Sequence, residues 1–368
     1  MAFSSGTFSL YTPGNPVVTG TTVSSTWANN TLTDIATGLS TCILKDGTQT
    51  ITANIPFSTF KITGLGDPTA DQDGATKAYV DAAAARMGAA GRLTLTSGTA
   101  VTTSDVTAAT TLYFTPFRGN QIAIYDGSNW DSVAFTEVSV TVPSTTSTPF
   151  DVFATATAGV LSLVCTNWGS DTARATALTT QDGILVKSGT TTQRYLGSGR
   201  TTAVSGQCED SDAKRYLWNY YNRVPRRMRV VDGTDTWTYS TAAYHQANAT
   251  SVNQLDLMIG VSEDMVGATV MAMAANASAS APGSGLRAVV GIGLDTTSTA
   301  TTGFFNAGHD MVATNGEVGI ISSWYGYPGI GRHYLAWLEY AQATGTTTWS
   351  GDAAGAITQS GISGVCYA

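Results

Sequence analysis

Residues 133–142 read VAFTEVSVTV, and apolar side chains alternate with polar ones along most of this segment. A period of two is typical of a strand with one buried and one solvated face. Similar runs lie on both sides of it, namely QIAIY (121–125), FDVFA (150–154) and VLSLV (160–164). Turn-forming residues such as DGSN (126–129) separate them, a pattern typical of a β-sandwich or barrel. We therefore predict a mainly β fold.

The carboxy-terminal part of the chain continues this pattern with larger aromatic side chains. Residues 214–224 (KRYLWNYYNRV) and 286–294 (LRAVVGIGL) are predicted strands, and the glycines of the second allow close backbone approach. A helix also fits residues 333–341 (HYLAWLEYA), but the abundance of aromatic residues favours a strand. We predict two β-sandwich or jelly-roll-like domains, at 92–205 and 206–368.

Charge and composition restrict the class of protein. The 368 residues include 18 Lys and Arg against 26 Asp and Glu, a formal net charge of −8. Nucleic-acid binding requires a basic surface, so this balance argues against it. Hydrophobic residues make up 42% of the chain, enough for a folded core, yet no apolar run is long enough to span a bilayer. We expect neither nucleic-acid binding nor membrane insertion. The first basic residue is Lys45, so no secretory signal is expected either.

The four cysteines, Cys42, Cys165, Cys208 and Cys366, are far apart and form no CxxC pair. A disulfide framework would be dense and closely spaced. We therefore predict buried free thiols.

A short helix is predicted near the amino terminus. Ser24 or Ser25 can cap it, and an apolar stripe follows at Leu32, Ile35, Ala36 and Leu39. A helix this short is not stable alone. The stripe must therefore pack against its own chain or against a partner.

A second helix is predicted over about 75–87, with Asp73 as its cap. Its spacing of four, three and four residues is of heptad type and involves Thr76, Val80, Ala83 and Met87. The helix is either an ordinary linker or part of an oligomeric seam.

Several short motifs follow one another between residues 27 and 81. They are a Trp-x-Asn…Asp-Ile-Ala element (27–36), Lys-Asp-Gly (45–47), Ala-Asn-Ile-Pro (53–56), Lys-Ile-Thr-Gly-Leu (61–65) and Ala-Thr-Lys-Ala-Tyr-Val-Asp (75–81). This order resembles the amino-terminal part of tailed-bacteriophage tail fibres. The sequence departs from that pattern at FSTF (57–60), where relatives often carry a Met-Gly-Gly type of turn. A second region, about 170–270, is similar to phage and prophage structural proteins.

The resemblance implies a homotrimeric virion protein, made in the host cytoplasm and anchored to the tail by its amino end. Residues 1–50 would be the virion-anchoring region and 51–91 a trimeric connector with a short helix. The expected anchoring residues, which would contact phage tail or portal/adaptor proteins, are Trp27, Leu32, Ile35 and Leu39. The expected connector residues are Val80, Ala83 and Met87.

No catalytic motif stands out. The chain lacks HExxH, GxSxG and Walker-type sequences, and its histidines (His245, His309 and His333) are isolated from one another. His309 and Asp310 are adjacent, and adjacent strand residues face opposite ways.

Two acidic clusters occur, Glu209, Asp210 and Asp212 in the first and Glu263 and Asp264 in the second. They are interpreted as solvated turns, with a cation site or a glycosidase pair as alternatives. We predict no catalytic residue, no metal and no cofactor.

A basic cluster surrounds Pro225 and comprises Arg223, Arg226, Arg227 and Arg229. In an acidic protein these side chains are expected to pair with carboxylates. The alternative is an anionic glycan or a lipopolysaccharide phosphate.

The segment WYGYPG (324–329) carries three large amphipathic rings between glycine and proline. Trp324, Tyr325 and Tyr327 are candidates for glycan binding, because flat rings stack on sugar faces. The alternative is that they fill the core or a trimer axis. We thus expect a tail fibre whose region 206–368 contacts a host surface glycan or lipopolysaccharide. The alternatives are a structural head fibre, collar or decoration protein and, last, a glycan depolymerase.

Overall fold

The computed structural model describes residues 3–4, 7–8, 18–20, 22–40, 51–52, 54–80, 88–278, 287–301, 307–352, 355 and 358–368. Strands account for 47% of the described residues and helices for 7%, which confirms the predicted mainly β, sandwich-like fold. The chain divides into two units, Met1–Leu65 and Gly66–Ala368.

The first unit contains two very short strands, β1 (Phe3–Ser4) and β2 (Thr7–Phe8), which pair antiparallel, and helix α1 (Ser25–Ser40). The backbone N–H of Trp27 donates to Ser24 Oγ over 3.1 Å. Ser24 is therefore the N-cap, as predicted, because it accepts from one of the N–H groups that a helix start leaves unpaired.

A second helical segment begins in the other unit, at residues 77–80. Thr76 caps it, since Thr76 Oγ1 accepts from the Tyr79 N–H over 3.1 Å. The prediction that Asp73 is the cap is wrong. The Asp73 carboxylate instead accepts from the N–H groups of Thr69 and Ala70, at 2.8 and 2.9 Å, and closes the preceding turn.

The amino-terminal half of the second unit contains eleven strands among its described residues. They are β3 (Gly91–Thr94), β4 (Val106–Ala109), β5 (Thr111–Pro116), β6 (Gln121–Tyr125), β7 (Trp130–Ala134), β8 (Val138–Thr141), β9 (Pro149–Thr157), β10 (Val160–Asn167), β11 (Leu178–Gln181), β12 (Ile184–Lys187) and β13 (Thr190–Arg200).

The described carboxy-terminal half adds fourteen strands and one 3-10 turn (Ala247–Ala249). The strands are β14 (Cys208–Asp210), β15 (Lys214–Arg215), β16 (Leu217–Asn219), β17 (Pro225–Val231), β18 (Thr236–Tyr239), β19 (His245–Gln246), β20 (Gln254–Ile259), β21 (Val266–Asn276), β22 (Arg287–Leu294), β23 (Ala307–Asp310), β24 (Val318–Gly326), β25 (Gly331–Ala341), β26 (Thr347–Ser350) and β27 (Gly361–Tyr367).

Residues 133–142 do not form one strand. The first of them end β7 and the later ones form β8, which pairs with β5. Between the two strands, Glu137 accepts hydrogen bonds from Ser97 Oγ, the Gly98 N–H and Thr115 Oγ1. The chain leaves the extended ladder here because this carboxylate closes the neighbouring loop.

Two hydrophobic cores lie on opposite sides of a shared layer. The sheet β10-β9-β13-β12-β11, with β16 against β13, forms that layer. Phe153 and Tyr195 contribute to one core, whereas Val152, Ala154 and Leu196, their neighbours in sequence, contribute to the other. β9 and β13 are thus buried on both faces, which explains their long runs of buried residues.

The carboxy-terminal core lies between two facing sheets. One has the order β23-β22-β25-β20-β15-β14-β4, and the other has the order β17-β27-β21-β26-β18, with β24 also paired to β21. Side chains from both sheets meet between them, among them Trp337, Leu257 and Val290 from the first sheet and Trp349, Val270 and Ile362 from the second.

Strands from both predicted β regions share sheets. β4 pairs with β14, and β13 pairs with β16. Residues 92–205 and 206–368 are therefore joined within the unit Gly66–Ala368 by continuous ladders. The division at 205 stays a prediction about assembly and function.

The three described cysteines are free thiols. Cys208 and Cys366 are buried as predicted, and burial raises the pKa of each thiol to about 12. Cys165 is half-buried, and Cys42 lies outside the described residues. Within the described ranges, no helix has the length and apolarity to cross a bilayer.

Candidate functional site

The predicted binding residues Trp324, Tyr325 and Tyr327 lie at the end of β24 in different environments. Side chains of a strand point alternately to opposite faces of the sheet. Trp324 points inward and is 5% exposed, so it is a core residue and not part of a surface site. Tyr325 points outward and is 41% exposed, and Tyr327 follows the strand and is 64% exposed. The packing alternative therefore holds for Trp324, while both tyrosines lie on the surface.

Four neighbouring strands, β17, β27, β21 and β24, place Tyr325 in a larger surface that we call the outer face. One row across these strands contains, in order, Arg227, Val365, Gly267 and Tyr325. The next row contains Arg229, Ser363, Thr269 and Ser323. The outer face comprises these eight residues and four more, which are Met265, Met271, Ile321 and Tyr367. Each of these four residues is 45% exposed or more.

The ring of Tyr325 lies across Gly267. A Cβ atom added at Gly267 would lie 2.5 Å from Tyr325 Cε1 and 2.6 Å from Tyr325 Cδ1, closer than atoms can pack. Glycine in a strand interior commonly marks a place where another group approaches the backbone closely. Here it lets the aromatic ring lie against the backbone of β21 while Tyr325 stays 41% exposed.

The outer face contains a shallow, solvent-open groove of about 500 Å³ next to Tyr325 and Tyr367. A second depression of about 340 Å³ adjoins it and extends past Met271 and Ile321. The two share Arg229, Thr269 and Ser363 in their walls. Thr269 Oγ1 and Ser323 Oγ are hydrogen-bonded to each other over 3.0 Å. The groove therefore combines an aromatic plane with a row of hydroxyl groups.

The two arginines of the groove have different partners. Arg227 Nη2 pairs with Asp212 Oδ2, and its side chain is 71% exposed. Arg229 Nη2 donates to the amide oxygen Oε1 of Gln359 over 2.7 Å. No described carboxylate forms an ion pair with Arg229.

A buried ion-pair network lies directly behind the outer face. Asp210 accepts from Arg215 Nη1 at 3.0 Å and from Arg226 Nη2 at 2.9 Å. Arg215 also binds Asp212 at 2.8 Å and the carbonyl oxygen of Arg227 at 2.7 Å. Burial lowers the pKa of Arg226, and the nearby Asp210 charge opposes that shift. Arg226 points inward from β17, so the network fixes the strand that presents Arg227 and Arg229.

The basic cluster thus pairs mainly with carboxylates, as predicted. Arg223 binds Asp264 and Glu263, at 2.6 and 2.7 Å. Glu209 binds Lys214 at 3.0 Å. Both acidic clusters are therefore held in ion pairs, and the interpretation as a solvated turn is wrong for Glu209 and Asp210, which lie buried on β14.

The histidines are also separate in space from these clusters. His245 Nε2 lies 2.7 Å from Glu339 Oε1, and His333 Nδ1 lies 2.8 Å from Asp295 Oδ2. Burial raises the pKa of Glu339, and bonds from His245 and Trp237 oppose that shift. Asp310 pairs with Arg287 and not with the His309 ring. Among the described residues, no group of three His, Cys, Asp or Glu side chains could hold a metal ion.

The predicted anchoring residues all lie on α1. Leu32 and Leu39 are each 62% exposed, whereas Trp27 and Ile35 are half-buried. The side chain of Thr31, by contrast, is buried. This helix exposes two leucines and covers a small polar residue, whereas an ordinary surface helix buries its apolar side chains.

Of the predicted connector residues, Val80 ends the described helical segment and is 52% exposed. Ala83 and Met87 lie outside the described residues.

The sequence interpretation missed the residues that surround Tyr325, including Gly267, Thr269, Ser363 and Tyr367. A signal for them exists, because VGATVMAMAAN (266–276) and GISGVCY (361–367) alternate inward and outward side chains. What the sequence does not reveal is that these strands are neighbours, since about 95 residues of chain separate them.

Comparisons with known proteins leave the function open. No model of a protein family matches the sequence, and no curated protein matches it. The functional form of the mosquito-larvicidal Cry4Aa toxin from Bacillus thuringiensis aligns at 8% identity, over 70% of this chain and 49% of the toxin, with a TM-score of 0.20.

A β-porphyranase of glycoside hydrolase family 86 from the human gut bacterium Bacteroides plebeius aligns at 6% identity, over 68% of this chain and 35% of the enzyme, with a TM-score of 0.19. The chain therefore spans about half and about a third of these two proteins. Similarity this weak carries no argument about enzyme activity or ligand.

Proposed function

We propose that this protein is a bacteriophage tail fibre, a homotrimeric virion component that contacts a host surface glycan through its carboxy-terminal β region. The motif order between residues 27 and 81 supports the virion assignment. The observation that carries the glycan contact is the partly exposed Tyr325 ring lying against Gly267 in an open groove.

The chemistry of the outer face fits a saccharide. A pyranose ring has an apolar face of C–H groups that packs on an aromatic plane, and hydroxyls at its edge that need hydrogen-bond partners. Tyr325 supplies the plane, and Thr269, Ser323 and Ser363 lie in the next row. Such a surface on a rigid sheet is held in shape before the ligand arrives, which reduces the cost of binding.

The amino-terminal helix supports attachment to another protein. Leu32 and Leu39 present an exposed apolar stripe, and a helix of 16 residues needs tertiary contacts to be stable. We assign this stripe to the contact with a tail or portal/adaptor protein. The exposed Val80 fits a role in the trimeric connector.

We propose a binding role without catalysis. Hydrolysis of a glycosidic bond needs one carboxyl group to donate a proton and a second to act as base or nucleophile. The acidic clusters considered for this reaction are held by Arg215, Arg223, Arg226 and Lys214 in ion pairs. The oxygens of these carboxylates are thus engaged by cations within the protein.

Point substitutions test this function better than a truncation. Removing residues 206–368 would break the β4–β14 and β13–β16 ladders and leave the rest of the unit incompletely paired. The double variant Tyr325→Ala/Tyr367→Ala removes two rings from the outer face and leaves both ladders intact. Val160→Ala is the matched control, because Val160 is 70% exposed on β10.

We expect virions with the double variant to assemble normally and to adsorb to host cells at least tenfold more slowly. Virions with the control should adsorb like the unmodified particle. Unchanged adsorption by the double variant, or absence of the protein from purified virions, would contradict the proposed function.

A further inference from the structure

The charge of the outer face is opposite in sign to that of the whole chain. The protein carries 26 acidic and 18 basic residues. Yet the walls of the groove and of the adjoining depression contain two arginines, Arg227 and Arg229, and no carboxylate. An acidic protein that concentrates cations on one open surface creates a local attraction for anions there.

Neither arginine is neutralised by a carboxylate of its own. Asp212, the partner of Arg227, is shared with Arg215. The hydrogen bond that Arg229 donates to a described side chain goes to the neutral amide of Gln359. The side chain of Arg227 is also 71% exposed, so its guanidinium group can reach a ligand in the groove.

The register fixes how these groups are arranged. Arg227 and Arg229 are consecutive outward residues of β17, so their Cα atoms are about 7 Å apart. Tyr325 lies in the same row as Arg227 but three strands away, at about 14 Å. One pyranose ring cannot span this distance, whereas a short oligosaccharide can.

We propose that the outer face binds an anionic oligosaccharide. One sugar ring stacks on Tyr325, the hydroxyls of Thr269, Ser323 and Ser363 bind the sugar edge, and a carboxylate or phosphate group lies against Arg227 and Arg229. Planar guanidinium groups suit both anions because two parallel N–H groups match two oxygens. This inference rests on the proposed function and adds the chemical class of the ligand.

The test is a binding titration of the full chain with three probes of similar length. They are an oligogalacturonate, which carries carboxylates, a phosphorylated mannan oligosaccharide, and a neutral galactan oligosaccharide. We expect at least one anionic probe to bind at least tenfold more tightly than the neutral probe. The probe that binds identifies the carboxylate or the phosphate as the recognised group. Raising the salt concentration should weaken this preference, because screening weakens exposed charge interactions.

Two variants separate the contributions. Arg227→Gln/Arg229→Gln should bring the affinity for the anionic probe down to that for the neutral one, while Arg118→Gln, which removes an exposed arginine elsewhere, should not change it. Tyr325→Ala should weaken both anionic and neutral probes. Thermal unfolding of each variant confirms that the fold is retained.

The outcomes distinguish this inference from the function on which it rests. Equal binding of neutral and anionic probes, absence of anionic binding, or an unchanged affinity of the double arginine variant would overturn the inference. The proposed function would survive each of these results if Tyr325→Ala/Tyr367→Ala still slowed adsorption of virions. The proposed function would fail together with the inference if virions with this double variant adsorbed as fast as unmodified virions.

Discussion

The two faces of the sheet that contains β17, β27, β21 and β24 are built from the same strands but differ in exposure and in packing. The inward residues Met228, Val270, Trp324 and Ile362 are 5% exposed or less and pack against the facing sheet. Their outward neighbours in sequence, Arg229, Met271, Tyr325 and Ser363, form the outer face and its groove. The inner face contributes to the hydrophobic core, whereas the outer face does not pack against the facing sheet.

The comparison shows how a β protein can display large rings without destabilising itself. Substitutions of outward residues remove few packing contacts, so this face can change with its ligand while the inner face stays constant. Neighbouring pairs such as Trp324 and Tyr325, or Arg226 and Arg227, test the idea directly. In each pair the chemistry is similar, and the main difference is the face on which the side chain lies.

The largest expected effect concerns the pair of aromatic residues on β24. Trp324→Ala should lower the free energy of unfolding by about 3–5 kcal/mol, because it leaves a cavity in the core. Tyr325→Ala should lower it by about 1 kcal/mol or less, because the ring is partly exposed. Urea unfolding followed by circular dichroism measures both. Equal losses for the two variants would contradict the assignment of inner and outer faces.

A similar contrast is expected for the two arginines of β17. Arg226→Gln removes one partner from the buried Asp210 network and should cost about 3 kcal/mol. Arg227→Gln removes a mostly exposed ion pair and should cost about 1 kcal/mol or less. The same unfolding experiment applies, at low and at high salt. A larger loss of unfolding free energy for Arg227→Gln than for Arg226→Gln would mean that the outer face contributes to the stability of the fold.

The pH dependence of stability should come from the interior and not from the outer face. Burial alone would raise the pKa of Asp232, but hydrogen bonds from the Asn253 amide, the Thr234 N–H and the Asn248 amide outweigh it, so the pKa lies below 3.8. A carboxyl group with a lowered pKa stabilises the fold above its unfolded value. That contribution is lost as the pH falls through the folded value.

Asp232→Asn should therefore differ most from the unmodified protein above about pH 5, and the difference should shrink as the pH falls below 3.8. Unfolding free energies measured across this range give the comparison. Tyr325→Ala is the control and should run parallel to the unmodified protein. A difference for Asp232→Asn that is independent of pH would show that its carboxylate charge is not what stabilises the fold.

The smallest effect on stability is expected at Gly267. An alanine Cβ there would collide with the Tyr325 ring, which must then leave its position against the sheet. We expect Gly267→Ala to change the unfolding free energy by about 1 kcal/mol or less, because a partly exposed ring can rotate away. Binding to the oligosaccharide should nevertheless fall by an amount similar to that of Tyr325→Ala.

Gly319→Ala is the matched control for Gly267, since its Cβ would meet only the flexible Met273 side chain, at 3.3 Å. It should retain full binding. Loss of binding in Gly319→Ala, or full binding in Gly267→Ala, would show that the position of the ring against Gly267 is unimportant.

Local sequence was sufficient to identify single strands. The apolar run QIAIY coincides with β6, and HYLAWLEYA, for which the abundance of aromatic residues favoured a strand, lies within β25. The period of two in the sequence could not show where a side chain interrupts a ladder, as Glu137 does between β7 and β8. It also could not show that β9 and β13 are buried on both faces, because their Thr, Ser and Gly residues resemble those of a solvated strand.

The candidate site was only partly predictable for a related reason. Tyr325 was identified from its aromatic character, but the same reasoning selected Trp324, which the alternation of β24 turns inward, and Tyr327, which follows β24 and is not part of the outer face. The rest of the outer face depends on the pairing of β17, β27, β21 and β24. Long-range strand pairing follows from the packing of the whole unit, and no local pattern specifies it.

The proposed function requires that the outer face is the surface that meets the ligand. Hydroxyl-radical footprinting tests it most directly, because Met265, Met271, Tyr325 and Tyr367 are exposed and readily oxidised side chains on that face. Oxidation rates would be compared with and without saturating cell-surface saccharide from a bacterium to which the virion adsorbs. We expect slower oxidation of Tyr325, Tyr367 and Met265, with no change at Tyr79, which is exposed elsewhere. Protection confined to other surfaces, with unchanged rates on the outer face, would contradict the proposed function.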